Sequence, residues 1–304
     1  MLKQLILKVA RKVVCPFLSK FEPPLMRSVS WGGDFPDKTF LVIRRNEPQA
    51  GLCSLVQTNL AWFRFAEQHG MIPVVDMQTT RNVYQRRGER GHVNAWEFFF
   101  EQPAGYTLEM IRRASRVVIA TGVLPAPGFL PSLDGELTEW REIAKRCLRV
   151  RHEALAGFAN EAVEREKDGA IGVLARGTDY VSLRPKGHPV QPTAAQLIAK
   201  VREGGESKRI FLVTEDKSIR DEFKQAFGSR LIVARQDFVD YSGGYLADCR
   251  GVKNDRERGL AYLKAIIDLA RCPEIIAGRT SGTLVAALLA DRLPRAYYFD
   301  LGCY

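Results

Sequence analysis

Two short stretches in the second half of the chain combine an arginine with glycine and hydroxyl-bearing residues. Residues 176–179 (RGTD) follow the apolar run AIGVLA, and residues 278–282 (GRTSG) directly precede an apolar helical pattern. The planar guanidinium of arginine can bind two phosphate oxygens at once, and small residues at a helix N-terminus expose backbone N–H groups to an anion. The stretches therefore predict binding of a phosphorylated ligand. The structural alternatives are an Arg176–Asp179 ion pair in the first stretch and helix capping by Thr280 or Ser281 in the second.

Two neighbouring loops carry groups that could serve the rest of a nucleotide. Thr214, Glu215 and Asp216 follow a predicted strand, and the two acids could accept hydrogen bonds from a ribose or base, hold a metal, or cap the next helix. His188 lies in the stiff, basic turn 185–189, where it could donate to a phosphate, act in acid–base chemistry, or only bond within its loop. Together, arginine, hydroxyl and carboxylate groups suit a nucleoside diphosphate.

These stretches lie in a chain that alternates strand patterns with helical ones. Such alternation is typical of parallel sheets, in which ligands bind beyond the carboxyl ends of the strands. The pattern restarts at residue 170, which predicts an α/β fold of two Rossmann-like domains with mostly parallel sheets, residues 39–165 and 166–304, after an N-terminal segment 1–38. Strands are expected at 39–44, 72–75, 117–120, 170–175, 209–213, 231–234, 274–277 and 297–299, and helices at 55–69, 138–163, 193–202, 218–227, 258–270 and 281–289.

The composition is that of a folded protein with an anionic partner. Of the 304 residues, 46% are hydrophobic, and 45 Lys and Arg against 35 Asp and Glu give a formal charge of +10. This excess points to a nucleic acid, an acidic membrane surface or a phosphorylated ligand. The basic residues are interspersed with acidic ones and form no nucleic-acid-binding motif, which disfavours the first class. The six cysteines form no C-x-x-C pair, so we expect them to be reduced and mostly buried, without zinc.

The first 20 residues are basic and amphipathic. Apolar residues recur there at helical spacing, while Lys3, Lys8, Arg11 and Lys12 occupy other faces. A helix of this kind lies either on an anionic membrane surface or on the body of the protein. Its basic residues interrupt any signal-peptide core, and no apolar run approaches the roughly 18 residues of a membrane span. We therefore expect a cytoplasmic protein, with peripheral attachment to the inner face of a bacterial membrane as one alternative.

Taken in order, the strand-end segments resemble a known family. The segments RGTD (176–179), His188-Pro189, TED (214–216), the helix with Asp268, and Thr280-Ser281 are similar to the donor half of the α-1,6-fucosyltransferase and protein O-fucosyltransferase superfamily. In the first half, residues 51–76 and the stretches NAWE (94–97) and FEQP (100–103) resemble related bacterial polysaccharide glycosyltransferases. The resemblance covers residues 39 to 300 and implies a GT-B-like architecture, with two domains that face each other across a cleft.

The resemblance also implies a function. The second domain would bind a nucleotide-sugar, with GDP-fucose as the first candidate, without a metal and without a further cofactor. The reaction would be an inverting transfer to a hydroxyl of a glycan or lipid-linked glycan acceptor in polysaccharide biosynthesis. The acceptor would enter at the loop 46–51 and near Trp96 and Glu97 of the first domain.

The predicted site residues fall into two sets. Arg176 matches the arginine on the donor's phosphates, Ser281 a serine on the phosphate side, and Asp268 an aspartate that reads guanine. Asp76, Glu97 and Asp179 are equal candidates for the base, and Arg176 would also stabilise the departing diphosphate. The predicted donor-binding residues are Arg176, Gly177, Thr178, His188, Thr214, Glu215, Asp216, Asp268, Arg279, Thr280, Ser281 and Gly282.

At four positions the chain departs from the family. Gly177 replaces the second arginine of the family's pair, Leu174 a histidine, Tyr180 a lysine, and Arg184 an acidic residue. These changes remove donor contacts and a candidate base. Two alternatives therefore stay open, namely a transferase that uses another nucleotide-sugar and a catalytically inactive glycosyltransferase-like binding protein.

Overall fold

The computed structural model of the chain describes residues 24–45, 47–128, 135–158, 169–205, 207–235 and 256–304. The chain divides into two compact units, Met1–Arg151 and His152–Tyr304, hereafter unit 1 and unit 2. The helix predicted within the first 20 residues and the domain boundary predicted near residue 165 lie outside the described residues. Among the described residues, no helix is both long and apolar enough to cross a membrane.

Unit 1 contains a four-stranded sheet with the order β1-β4-β2-β3. Strand β2 pairs in parallel with β3 and β4, whereas β1 pairs antiparallel with β4 at the edge. Residues 40–43 of β2 are at most 2% exposed, because both faces of a central parallel strand are covered. The elements are β1 (Leu25–Val29), β2 (Phe40–Arg44), α1 (Leu52–Gln68), β3 (Ile72–Asp76), a 3-10 helix (Ala95–Phe98), β4 (Val117–Thr121) and α2 (Gly135–Cys147).

The position of residues 25–29 differs from the domain boundary that was predicted from the sequence. They lie within the segment 1–38 that was expected to precede the first domain, yet they form β1 in the unit 1 sheet. Its sequence, LMRSV, lacks the two-residue alternation of apolar and polar residues that marks a half-buried strand. In the structure, Leu25, Arg27 and Ser28 are exposed. Its partner β4 is about 90 residues away in the sequence, and that pairing decides its conformation.

Unit 2 contains a five-stranded, entirely parallel sheet with the order β7-β6-β5-β8-β9. Except for the helix expected at 138–163, the predicted strands and helices are confirmed, with ends that differ by no more than three residues, whereas β1 and the short helix Thr178–Leu183 were not predicted. The elements are β5 (Ile171–Leu174), α3 (Thr178–Leu183), α4 (Ala194–Glu203), β6 (Ile210–Val213), α5 (Lys217–Phe227), β7 (Leu231–Val233), α6 (Arg256–Ala270), β8 (Glu274–Gly278), α7 (Ser281–Leu289) and β9 (Arg295–Phe299). The prediction of an α/β fold with mostly parallel sheets is confirmed.

The long helix predicted at 138–163 is wrong in its second half. Helix α2 ends at Cys147, and a separate 3-10 helix follows at His152–Phe158. Between them the backbone is extended and pairs with residues 99–101, because the Glu101 N–H donates to the Arg149 carbonyl at 2.8 Å and the Arg151 N–H donates to the Phe99 carbonyl at 2.9 Å. These contacts between distant residues replace the helical hydrogen bonds that the local pattern favours. Residues 159–163 lie outside the described residues.

The unit 2 sheet reverses its strand order between β5 and β8. From β5 the chain continues to β6 and β7 on one side, whereas β8 and β9 lie on the other. In open parallel sheets, ligands bind at such a reversal, beyond the carboxyl ends of the strands. Residues 176–179 follow β5 and residues 279–282 follow β8, so the fold brings both arginine-containing stretches to the same crevice.

Candidate functional site

Arg176 emerges from the carboxyl end of β5 and is held by two carboxylates. Its Nη2 lies 3.0 Å from Asp179 Oδ1 and its Nε lies 3.1 Å from Glu215 Oε1, while the side chain keeps 21% of its surface exposed. Its guanidinium carbon lies 5.2 Å from the centre of the Tyr180 ring, a cation–π distance. Burial lowers the pKa of Arg176, but attraction by Glu215 and Asp179 outweighs burial and raises that pKa above its ordinary value. The guanidinium is therefore a permanent charge in a fixed orientation.

Thr178 ties together the two carboxylates that hold Arg176. Its Oγ1 lies 3.0 Å from Glu215 Oε1 and 3.2 Å from Asp179 Oδ1, the same two oxygen atoms that face the guanidinium. Thr178 is 3% exposed and has a φ of 38°, in the left-handed region that a β-branched residue rarely adopts. Such a conformation costs about 1–3 kcal/mol and persists only where surrounding contacts impose it. The cluster of Arg176, Thr178, Asp179 and Glu215 is therefore rigidly built.

We expect the Thr178→Val variant to lower the free energy of unfolding by about 1–3 kcal/mol, because it keeps the side-chain shape and removes the only hydroxyl within the carboxylate cluster. Thr178→Ser keeps the hydroxyl and is expected to stay within about 1 kcal/mol of the original protein. Urea denaturation of the three proteins measures both changes. Equal stability of the valine variant and the original protein would show that the hydroxyl does not hold the cluster.

Gly177 has no space for a side chain. A Cβ atom there would collide with Asp216 Oδ2 and would lie 3.0 Å from Ile219 Cδ1. Asp216 is fixed, because its Oδ1 caps α5 by accepting from the Ser218 N–H at 2.9 Å and the Ile219 N–H at 3.3 Å. Thr214, which is fully buried, accepts from the Asp216 N–H at 3.1 Å. Position 177 therefore has space for a glycine and for no larger residue.

A pocket of about 580 Å³ opens beside this cluster, between α3, α4 and α5. Its volume lies within the range of small-molecule sites. Arg176, Gly177, Thr178 and Asp216, all predicted from the sequence, line it. Other lining residues, for which no local motif gives a signal, were not predicted. They bring hydroxyl, amide and carboxylate groups and are Ser182, Gln191, Thr193, Ser218 and Glu222.

The second arginine-containing stretch forms the start of α7. The Thr280 Oγ1 caps this helix by accepting from the Thr283 N–H at 3.1 Å, and Thr283 Oγ1 donates to the Gly278 carbonyl at 2.7 Å. Arg279 Nη1 lies 2.9 Å from Asp300 Oδ2. Capping, the structural alternative for Thr280, is therefore present, and the charge of Arg279 is shared with Asp300. Ser281 is the first residue of α7 and is buried.

Gln191 connects the turn around His188 to the end of β8. Its Nε2 donates to the Pro189 carbonyl at 3.0 Å and to the Arg279 carbonyl at 3.1 Å. The His188 ring packs edge-on against Tyr180, with ring centres 5.5 Å apart. Arg176, Tyr180 and His188 therefore lie in one contiguous row, and His188 is brought to the cluster through Tyr180.

Asp268 is not brought to the cluster. Both of its carboxylate oxygens accept from Lys264 Nζ, at 2.6 and 2.7 Å, and the residue is 3% exposed. It lies near the end of α6, which is followed at once by β8, so it lies toward the amino ends of the parallel strands and away from Arg176. Tyr262, on the first half of the same helix, reaches the site instead, because its hydroxyl would collide with a Cβ atom at Gly282.

Asp76 has a structural role in unit 1. Its carboxylate is completely buried and accepts from Arg44 Nε at 2.7 Å, Thr79 Oγ1 at 2.7 Å, the Gln78 N–H at 3.0 Å and the Thr79 N–H at 2.9 Å. A general base must have an oxygen within hydrogen-bond reach of the substrate proton. The oxygens of Asp76 are occupied by the loop that follows β3, which argues against its assignment as a base.

Glu97 also belongs to a structural network. Its Oε1 accepts from Gln102 Nε2 at 2.9 Å and from Asn94 Nδ2 at 3.4 Å. These two amides satisfy the backbone of the edge strand β3, since the Val75 N–H donates to Gln102 Oε1 at 2.9 Å and Asn94 Nδ2 donates to the Val75 carbonyl at 2.7 Å. Trp96 is completely buried, so it packs in the core and does not present a surface for an acceptor. The NAWE and FEQP stretches therefore pair the backbone of the edge strand β3 at Val75, which would otherwise be unpaired there.

No protein-family model and no curated protein sequence matches the chain. The fucosyltransferase NodZ from Bradyrhizobium is 18% identical, with a TM-score of 0.52 over 87% of this chain and 96% of its own. POFUT1 in its apo form is 12% identical, with a TM-score of 0.51 over 88% of this chain and 99% of its own. The chain has the fucosyltransferase fold.

Within this fucosyltransferase fold, the structure separates the predicted residues into two groups. Residues around Arg176 in unit 2 converge beside a pocket, whereas Asp76, Glu97 and Asp268 are engaged in structural contacts elsewhere. In the described residues, no three side chains of the metal-binding types (His, Cys, Asp, Glu) come together as a set of ligands.

A further match, NodZ soaked with GDP-fucose, has a TM-score of 0.51 and is 18% identical over 87% of this chain and 96% of its own.

Proposed function

We propose that the protein is a glycosyltransferase that moves a sugar, with fucose as the first candidate, from a GDP-sugar to a hydroxyl of a bacterial glycan. The observation that carries the proposal is Arg176, fixed at the carboxyl end of β5 by Asp179 and Glu215 and lining a pocket of about 580 Å³. The fold supports it, because NodZ, a structural neighbour, has been crystallised with GDP and soaked with GDP-fucose.

The proposed reaction is a single displacement with inversion. An acceptor oxygen attacks the anomeric carbon, and the bond from that carbon to the diphosphate oxygen breaks on the opposite side, with its electron pair passing to the diphosphate. Only contacts that strengthen as this charge develops accelerate the reaction. Arg176 is suited to the task, since its guanidinium is already oriented and permanently charged. The proposal assigns this neutralisation to Arg176 and to backbone N–H groups near α7, without a metal ion.

Among the three candidate bases, the contacts favour Asp179. Its Oδ1 faces Arg176 and Thr178, whereas its Oδ2 makes no hydrogen bond to any residue in the described parts of the chain. Asp179 is also the candidate in direct contact with Arg176, so a base there would lie beside the breaking bond. We propose that Asp179 Oδ2 accepts the proton of the acceptor hydroxyl.

Titration of the protein with GDP, UDP and dTDP tests the donor. We expect GDP to bind about tenfold tighter than UDP or dTDP, a difference of about 1.4 kcal/mol, because the proposed donor carries guanine. Isothermal titration calorimetry measures the three affinities, and a screen of the corresponding nucleotide-sugars for hydrolysis measures turnover. Preference for another nucleotide would redirect the donor assignment, and absence of binding to all three would contradict the proposal.

The second candidate is a binding protein of the same fold without catalysis. The observation that favours it is Gly177, where Asp216 fills the space of a second arginine. In the same experiments, this candidate predicts that GDP binds while no nucleotide-sugar is hydrolysed or transferred.

We also propose a cytoplasmic location with peripheral membrane attachment through the basic N-terminal residues. The proposal rests on the sequence pattern of residues 1–20 alone. Sedimentation with vesicles that contain anionic lipid, compared for the full chain and a chain that lacks these residues, tests it.

A further inference from the structure

The connection between β3 and β4 presents four exposed arginines within ten residues. Arg81, Arg86, Arg87 and Arg90 lie in this stretch, hereafter the arginine loop (residues 81–90), with Glu89 as its only acid. No carboxylate of the described residues lies within ion-pair distance of these four guanidinium groups. Several other arginines of unit 1 are paired with acids, as in the pairs Arg44–Asp76, Arg64–Glu139 and Arg146–Glu67. The loop is therefore a concentrated positive charge that the fold leaves uncompensated.

The arginine loop has a defined backbone. Gln78 and Gly91 bracket it with a reciprocal pair of hydrogen bonds, because the Gly91 N–H donates to the Gln78 carbonyl at 2.8 Å and Gln78 Nε2 donates to the Gly91 carbonyl at 2.7 Å. Inside the loop, Gln85 Nε2 donates to the Val93 carbonyl at 2.8 Å, and buried Tyr84 packs edge-on against Phe99. The four arginines are thus displayed from a loop whose backbone is held in place by hydrogen bonds.

The loop follows the carboxyl end of β3, the end of a parallel sheet at which ligands bind. All four basic residues are arginines, whose planar guanidinium groups form paired hydrogen bonds with carboxylates and phosphates. We propose that the arginine loop binds a polyanionic saccharide, a chain of sugars that carries carboxylate or phosphate groups at regular intervals. That this saccharide is the acceptor rests on the proposed function, whereas the binding itself does not.

The chemistry of the loop favours a saccharide over a membrane. Its two largest apolar residues are not displayed, since Tyr84 is buried and Val83 is partly buried. Binding at a membrane surface commonly adds apolar side chains that enter the acyl boundary, and none is exposed here. Several arginines spaced along a rigid loop suit a ligand whose charges are also spaced along a chain.

Binding of an oligogalacturonate, which carries one carboxylate per sugar, tests the proposal. We expect the triple variant Arg86→Gln, Arg87→Gln, Arg90→Gln to bind it about tenfold more weakly, because each charge contact contributes a factor of about two to five. The matched control is Arg112→Gln, Arg113→Gln, Arg116→Gln, which removes the same charge from exposed positions before β4, at the opposite end of the sheet. The control is expected to bind like the original protein, and the neutral maltohexaose is expected not to bind.

The remaining outcomes separate this proposal from the function proposed above. Equal weakening in both triple variants would overturn it, because the binding would then reflect net charge alone. Tighter binding of anionic vesicles or of a single-stranded DNA through the same three arginines would also overturn it. GDP affinity is measured in parallel and is expected to be unchanged in both variants. An error in the donor assignment would therefore appear in the GDP titration, whereas an error in the role of the arginine loop would appear only in the binding of the oligogalacturonate.

Discussion

Replacement of Arg176 with alanine is expected to reduce kcat/KM for glycosyl transfer by about two to three orders of magnitude, the cost of removing one preorganised charge from a transition state. The guanidinium is the permanent cation that lines the pocket beside β5, and no rearrangement is needed to orient it, since Asp179, Glu215 and Tyr180 already hold it. GDP affinity should fall together with transfer, because the same group contacts the ground-state diphosphate. Steady-state kinetics and calorimetry with GDP measure the two effects.

Two variants serve as controls for this experiment. Arg176→Lys keeps the charge and loses the planar fork, so we expect it to retain part of the GDP affinity. Arg295→Ala removes an ion-paired arginine from the opposite end of the same sheet, where its Nη2 lies 3.2 Å from Glu274, and should leave kinetics and binding unchanged. If Arg176→Ala bound GDP and transferred sugar like the original protein while remaining folded, Arg176 would have no role in donor binding.

The alternation of strands and helices could be predicted because the central strands are short, uninterrupted apolar runs. β5 (IGVL) and β6 (IFLV) are fully buried on both faces, so they read as short apolar runs, and the polar loops that follow them stand out. Since all strands of unit 2 are parallel, these loops necessarily meet at one edge. The sequence could therefore predict that RGTD and TED lie close together without predicting a single contact between them.

The contacts that decide what each site residue does could not be predicted from local sequence patterns. Gly177 is crowded by Asp216, and Val75 is bonded by Asn94 and Gln102, across separations that only the folded chain determines. One signal was present in the sequence, since Lys264 and Asp268 are four residues apart on a predicted helix, a spacing at which opposite charges pair. That spacing predicts the ion pair that occupies Asp268 in the structure.

The variant Gly177→Ala tests whether crowding by Asp216 excludes a side chain at position 177. We expect it to lower the free energy of unfolding by about 2–3 kcal/mol, because the new methyl group displaces the Asp216 carboxylate and weakens the cap of α5. Gly177→Arg, which introduces the arginine found in the family that the sequence resembles, is expected to be less stable still and to gain no activity, since its side chain must begin in the same occupied space. Urea denaturation and the transfer assay measure the two effects.

A double-mutant cycle separates crowding from other causes. In an Asp216→Ala background the carboxylate is absent, so Gly177→Ala should cost about 1 kcal/mol less than in the original protein, a coupling of the size seen between contacting residues. Gly169→Ala is the matched control, because a Cβ atom at Gly169 meets no atom within 4 Å, and it should cost little. An identical cost of Gly177→Ala in both backgrounds would mean that Asp216 does not exclude a side chain. A smaller cost without Asp216 would instead show that the helix cap excludes a side chain at position 177, so that residues 177 and 216 would have to change together for an arginine to fit there.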